Sequence, residues 1–267
     1  MYVKPTAPRS IGGVFDDAIR MYRNFGPSVW LLALAFELTT TIPSLVWQMQ
    51  VMPAVADSIQ DPLTALQDPL AALHASPGVW LLTLIAIPIY LIFYVALVAS
   101  INGVATAREI STGTAIRLGV GKLPRAIGLG VLVACIVVLG LLLLLVPGFY
   151  WAGTLSLAFI ILAVEDAGVS QSMAVSRGLV QGHWWRVATL ISYIFVMALV
   201  AYIAVLLVTG LLALVLGAGS LTLIISQLLT AAMGIVLSPL YCAIDLSMYH
   251  DLKLRKEATG SAGRIDI

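Results

Sequence analysis

An all-α integral membrane fold with six transmembrane helices is what this sequence predicts, and three observations carry that reading. The 267-residue chain is 61% hydrophobic and only 10% charged, against roughly 25% charged in an average soluble domain. Its mean hydropathy is +1.04. Several apolar runs reach the ~18–20 residues needed to cross a bilayer core. The 14 basic and 13 acidic residues are too few to cover the surface of a soluble fold of this size. Soluble-enzyme, nucleic-acid-binding and disordered classes are excluded on these grounds.

The spans are expected at residues 28–47, 78–105, 127–146, 149–164, 187–216 and 221–246, within one membrane domain covering 1–267. The fourth is short, roughly 24 Å of helix. The fifth is long enough to tilt or kink. The basic residues sort cleanly between the connections. Lys4, Arg9, Arg20 and Arg23 precede the first span; Arg108, Arg117, Lys122 and Arg125 lie between the second and third. Arg177 and Arg186 lie between the fourth and fifth, and Lys253, Arg255, Lys256 and Arg264 follow the sixth. The remaining three connections carry no lysine or arginine. By the positive-inside rule both termini are cytoplasmic, so residues 249–267 form a cytoplasmic tail and 48–77 an outer loop. In that loop Asp61-Pro62 and Asp68-Pro69 read as N-cap and first position of two short helical turns, on a capped lid or an acidic docking surface that Asp57 extends. Residues 1–26 carry charges and no apolar h-region, so a cleavable signal peptide is not expected.

Ile11, Val14, Phe15, Ala18, Ile19 and Tyr22 repeat at helical spacing, with Asp16, Asp17, Arg20, Arg23 and Asn24 on the other side. This predicts an amphipathic helix in the membrane interface before the first span. Residues 111–122 and 169–182 occupy matching places before the third and fifth spans, each opening near a Ser or Thr. Ala18-Ile19-Arg20 stands before Pro27 as Ala115-Ile116-Arg117 stands before Pro124, and a looser third copy runs from Ala174 to His183. A three-fold repeat of interfacial helix plus transmembrane hairpin follows as an expectation.

Glu37 is the one carboxylate near the middle of a span. Intramembrane acids are costly, so they face bundle interiors and often mark pathways. Two readings stand side by side: a proton or substrate site, with Gln227 and Thr230 as companions, or a hydrogen-bonded tie from the first span to Tyr90, Gln227 or Thr230. Ser226, Thr230, Gly234, Ser238 and Cys242 form a small-residue stripe suited to close helix packing, as do Ala99, Gly103 and Ala107. Pro147-Gly148 predicts a tight turn. Phe149, Tyr150 and Trp151 are expected in an outer aromatic belt, Trp184 and Trp185 in an inner one. Glu165 and Asp166 are expected to pair with Arg177 and Arg186. His74, His183 and His250 stand apart, and Cys135 and Cys242 lie in apolar runs, so no metal, disulfide or cofactor site is expected. No catalytic constellation is present in the pattern, so no catalytic residue is assigned.

The segments SIGGVFDDAIRMYRNF, VPGFYW…LAVED, SRGLVQGHWWRV and MYHDLKLRKE together resemble a bacterial six-span family. It comprises the membrane domain attached to some glycerophosphoryl diester phosphodiesterases and small proteobacterial inner-membrane proteins. The resemblance implies an inner-membrane location. It also implies that phosphodiesterase chemistry belongs to a separate soluble barrel, which this chain lacks. The closing run departs from the family's Tyr-Tyr-Asp-Leu-Arg pattern at His250 and Lys253. Tyr249, Asp251 and Arg255 are the matching positions, expected to join the last helix to the cytoplasmic loops. The function expected is non-enzymatic, binding or organising lipids or a protein partner, a second copy included, with no nucleic acid. The alternative is a transporter or lipid flippase using Glu37; an accessory subunit for a separately encoded enzyme is a third reading.

Overall fold

In a computed structural model, residues 5–52, 77–217 and 219–262 are described; the expected outer lid, with Asp57, Asp61, Asp68 and His74, lies outside them. The described residues form α-helices and no strand. They are α1 (Ile11–Tyr22), α2 (Pro27–Gln50), α3 (Pro77–Ala105), α4 (Thr112–Leu143), α5 (Leu145–Leu155), α6 (Ala158–Glu165), α7 (Val169–Val180), α8 (Trp184–Leu216) and α9 (Ser220–Ala262). Six stretches are long and apolar enough to cross a membrane: α2, α3, α4, α5 with α6, α8 and α9.

Local chemistry sets several boundaries. Ser10 and Ser111 cap α1 and α4, accepting from the backbone N–H of Gly13 at 3.1 Å and Thr114 at 3.3 Å. α7 instead begins after Gly168, with no side-chain cap. Residues 111–122 are not a separate interfacial helix, because α4 continues through Pro124 into the third span. The turn expected at Pro147-Gly148 falls at Leu144, which is extended. Pro147 then sits in the first turn of α5, where its missing N–H has no intrahelical partner to lose. Gly148 serves the hairpin differently: a Cβ on Gly140 would stand 2.9 Å from the Gly148 Cα, so the two helices touch backbone to backbone. At Gly119 an added Cβ would run into the Ile92 carbonyl of α3. Gly103, expected on a helix-packing seam, instead faces the carbonyl of Arg108 in its own α3–α4 connection.

Buried residues concentrate at the basic end, in Val95–Ile101 of α3, Ile160–Leu162 of α6, Val187 and Leu190 of α8, and Ala243, Ile244, Tyr249 and Leu252 of α9. Leu142–Val146 and the far end of α8, including Leu214 and Val215, are exposed, as lipid-facing apolar helices would be. α9 spans 43 residues, about 64 Å, roughly twice a ~30 Å bilayer core. Residues 249–262, expected as a tail, continue α9, and the core packs around Tyr249 and Leu252.

α1 lies lengthwise on α9. The Arg9 backbone N–H reaches Asp251 at 2.7 Å and the Tyr22 hydroxyl donates to the Val236 carbonyl at 3.0 Å, which makes the two helices antiparallel. The buried stripe is Val14, Asp17, Ala18 and Met21, while Ile19 is exposed. Asp17, expected on the polar face, is turned inward because Arg9 Nε lies 3.5 Å from its carboxylate.

One carboxylate knots this end together. Asp251 Oδ2 accepts from Nε of Arg186 and of Arg255, both at 2.9 Å. The Arg9 carbonyl accepts from Nη2 of the same two arginines, at 2.7 and 2.5 Å. The Asp251 side chain is 3% exposed, so removing it leaves two half-buried guanidinium groups without their carboxylate. Asp251→Ala is expected to cost about 3–5 kcal/mol. Asp166→Ala, at a side chain 72% exposed, should cost about 0–1 kcal/mol. Unfolding in detergent micelles measures both. Burial outweighs Arg9's attraction and holds the Asp17 carboxyl above its ordinary range. The folded state thus binds that proton more tightly than the unfolded chain, and this group's contribution is lost as pH rises through the raised value. Asp17→Asn is expected to flatten that fall in a pH series of melting temperatures.

Candidate ligand cleft

A cleft of about 410 Å³ lies between α2, α3, α8 and α9. α9 supplies its floor through Thr230, Gly234, Ser238, Tyr241, Cys242 and Asp245, positions three or four residues apart and therefore on one helix face. Phe36 and Glu37 of α2 and Tyr90 and Tyr94 of α3 form one wall; Ala198, Ala201, Tyr202 and Val205 of α8 form the other. From Thr230 to Asp245 the floor runs about 22 Å along the helix axis. It is elongated and mainly apolar.

Glu37 enters through a gap left by a missing side chain. A Cβ on Gly234 would collide with the Glu37 carboxylate oxygens, so that carboxyl lies flat on the α9 backbone. The small-residue stripe read as a packing seam thus both admits α2 and lines the cleft. The neighbouring Ser238 is buried, and its hydroxyl interacts with the Glu37 carboxyl. The Tyr241 hydroxyl is buried without an aligned hydrogen-bond partner. Thr230 donates to the Ser226 carbonyl at 2.9 Å, which commits its proton to the backbone. The rings of Phe36 and Tyr90 stand 4.7 Å apart, and Tyr90 and Tyr94 are nearly parallel at 6.4 Å.

Of the residues singled out from sequence, Glu37 and Thr230 meet in the cleft. Gln227 is buried but does not line it. Asp245 was missed: it falls at the edge of the predicted sixth span, and only its register, eleven residues after Gly234, placed it on the same face. Cys242 lies between the two acids, within electrostatic reach of both.

The other charged groups are structural. Glu165 accepts from the Tyr249 hydroxyl and from Lys253 at 2.6 Å, and Asp166 pairs with Arg125 at 2.9 Å. The expected partners, Arg177 and Arg186, are engaged elsewhere: Arg177 lies 5.5 Å from the Trp151 ring and Arg186 holds Asp251. The two aromatic belts are also one cluster. Tyr150 stacks on Trp184 at 5.8 Å, and Trp184 meets Trp185 at 4.9 Å, so these rings cannot mark opposite faces of a ~30 Å core. A polar hollow of about 590 Å³ beside Arg108 and Lys122 has its lysine occupied, because Lys122 caps the end of α6 at the Leu162 and Ala163 carbonyls. Among the described residues no group of three or more His, Cys, Asp or Glu side chains is placed to hold a metal ion.

No family model, no curated protein and no solved structure matches this chain.

The Glu37–Gly234 contact makes a coupled pair. Gly234→Ala alone is expected to destabilise by about 1–3 kcal/mol through overpacking. Combined with Glu37→Ala, much of that cost should disappear, a coupling of about 0.5–3 kcal/mol in a double-mutant unfolding cycle.

Proposed function

We propose that this chain is a multi-pass protein of the bacterial inner membrane that holds a membrane lipid in the cleft between α2, α3, α8 and α9, and performs no catalytic step of its own. The observation that carries this reading is the shape and lining of the cleft. It is long, largely apolar, and furnished with a few convergent polar groups, as ligand sites generally are. Its α8 wall belongs to the helix with the least buried surface of the six candidate spans, which favours lateral entry from a bilayer over access from water.

The basic residues gathered at the packed end support a cytoplasmic position for both termini. The interfacial role of α1 and α7 and the three-fold repeat belong to the same reading. α1 and α7 are each 12 residues long, and each is followed by a short link and a long helix. The middle unit would differ only in that its leading segment is fused to α4. Kinship with the phosphodiesterase-linked membrane family is part of the proposal too, supported by the work that Tyr249, Asp251 and Arg255 do at the packed end.

A second reading, lipid translocation, is favoured by one feature. Thr230, Ser238 and Asp245 with Glu37 give a file of polar groups along the cleft, a route a headgroup can follow through an apolar layer. A protein partner or a second copy would instead dock on the exposed face of α8.

The test is native mass spectrometry of the full chain extracted gently from its own membrane. One lipid per chain is expected, and Ala201→Trp, which fills the cleft from α8 without altering charge, should abolish it while leaving the melting temperature within a few degrees. A bare wild-type chain, or lipid retained in the filled variant, would falsify the reading.

A further inference from the structure

Among the described residues the cleft is lined by two carboxylic acids and by no lysine, arginine or histidine. In a low-polarity setting such a lining is electrostatically incomplete, since a buried carboxylate requires either a proton or a cationic partner. The chain places several of its cations elsewhere: the Arg9 guanidinium at Asp17, Arg186 and Arg255 at Asp251, and Lys253 at Glu165. A cationic partner for these acids would come from outside the chain.

The surroundings select among cations. Small metal ions demand several oxygen ligands at close range, and the described residues gather no such set. Tyr90, Tyr94, Tyr202 and Tyr241, with Phe36, bring aromatic rings to the same space. Ring faces attract organic ammonium groups through their quadrupoles. Ser238 interacts with the Glu37 carboxyl and keeps oxygen lone pairs to accept with, and Tyr241 adds a buried hydroxyl outside any aligned hydrogen bond; both can accept from N–H donors. The rest of the lining is aliphatic, as a hydrocarbon tail requires.

We propose that the occupant of this cleft is an amphiphile whose head carries an N–H-bearing ammonium group, held at Glu37 against the tyrosine faces, with Asp245 a second acidic position farther along the cleft and the tail along α8 and α9. This rests on the cleft being the lipid site and names the class of lipid it takes. Glu37 and Asp245 supply the charge, Ser238 and Tyr241 the acceptors, and the apolar α8 wall excludes water that would screen them.

The experiment places the full-length chain in nanodiscs of equimolar phosphatidylethanolamine and phosphatidylglycerol with matched acyl chains, and reads the lipid ejected with the protein. Phosphatidylethanolamine is expected to exceed phosphatidylglycerol by at least about tenfold, falling towards parity in Glu37→Gln and Asp245→Asn. Equal retention of both lipids by the unaltered chain overturns the ammonium assignment while leaving the cleft as a lipid site. Retention of neither overturns both. Ethanolamine without a tail is expected neither to compete nor to stabilise. If it binds as tightly as the lipid, the ammonium chemistry stands and the lipid reading falls. Because the headgroup comparison uses the unaltered chain, it decides the question even where a variant does not fold.

Discussion

The buried Asp251 carboxylate is the constraint from which the rest of the architecture follows. It binds two pieces of chain remote in sequence, the backbone at Arg9 and the first turn of α8 through Arg186, and the next turn of its own helix through Arg255. In a bilayer the hydrophobic effect does not drive helices together, because lipid tails are as apolar as the side chains. Packing and polar contacts must fix the register instead. Asp251 does this by making the positions of Arg9, Arg186 and Arg255 mutually dependent. A shift of any of the three leaves the Asp251 carboxylate, 3% exposed, short of a donor.

That knot lies at one end, and the asymmetry of the molecule follows from it. Near Asp251 the helices are pressed together over Tyr249, Leu252 and Val187. Farther away α8 has no comparable anchor, and from Tyr193 to Leu216 it presents large apolar side chains outward. A helix fixed at its base and sparsely packed along its length leaves room at its side. The cleft occupies that room. Gly234 then determines what enters from the opposite wall, since only a residue without a Cβ lets the Glu37 carboxyl lie on α9.

The sequence made the spans legible because crossing a membrane is a property of long stretches, and composition averages over error. It made Glu37 legible because an acid amid apolar residues stands out. What it did not show depends on which residues meet across helices. Asp17 looked solvent-facing by helical phase, yet Arg9, outside the helix, turns it inward. Asp245 looked like the edge of a span because the true helix runs on to Ala262, so its face mattered and its distance from the end did not. Tyr150 and Trp184 looked like markers of two surfaces because aromatic anchors are read one residue at a time; their contact depends on the path of α5 and α7. Glu165 and Asp166 found Lys253 and Arg125 in place of nearer arginines for the same reason.

Holding a lipid and moving one place opposite demands on this cleft. A resident site gains from a single deep minimum, where one carboxylate and its acceptors outcompete every other position. A conduit needs several shallow minima spaced so that leaving one is offset by reaching the next. The floor of α9 has elements of both. Glu37 with Ser238 forms one station and Asp245 with Tyr241 another, the two acids about three helical turns apart along α9 from Gly234 to Asp245. Cys242, between them, offers a thiol, which is a poor acceptor for an ammonium. The step between stations is therefore steep unless the ring faces of Tyr90 and Tyr94 carry the charge across it. Their near-parallel stacking aligns two π-faces along the same wall, so the physical question of residence or passage reduces to how far those rings level the path from one acid to the other.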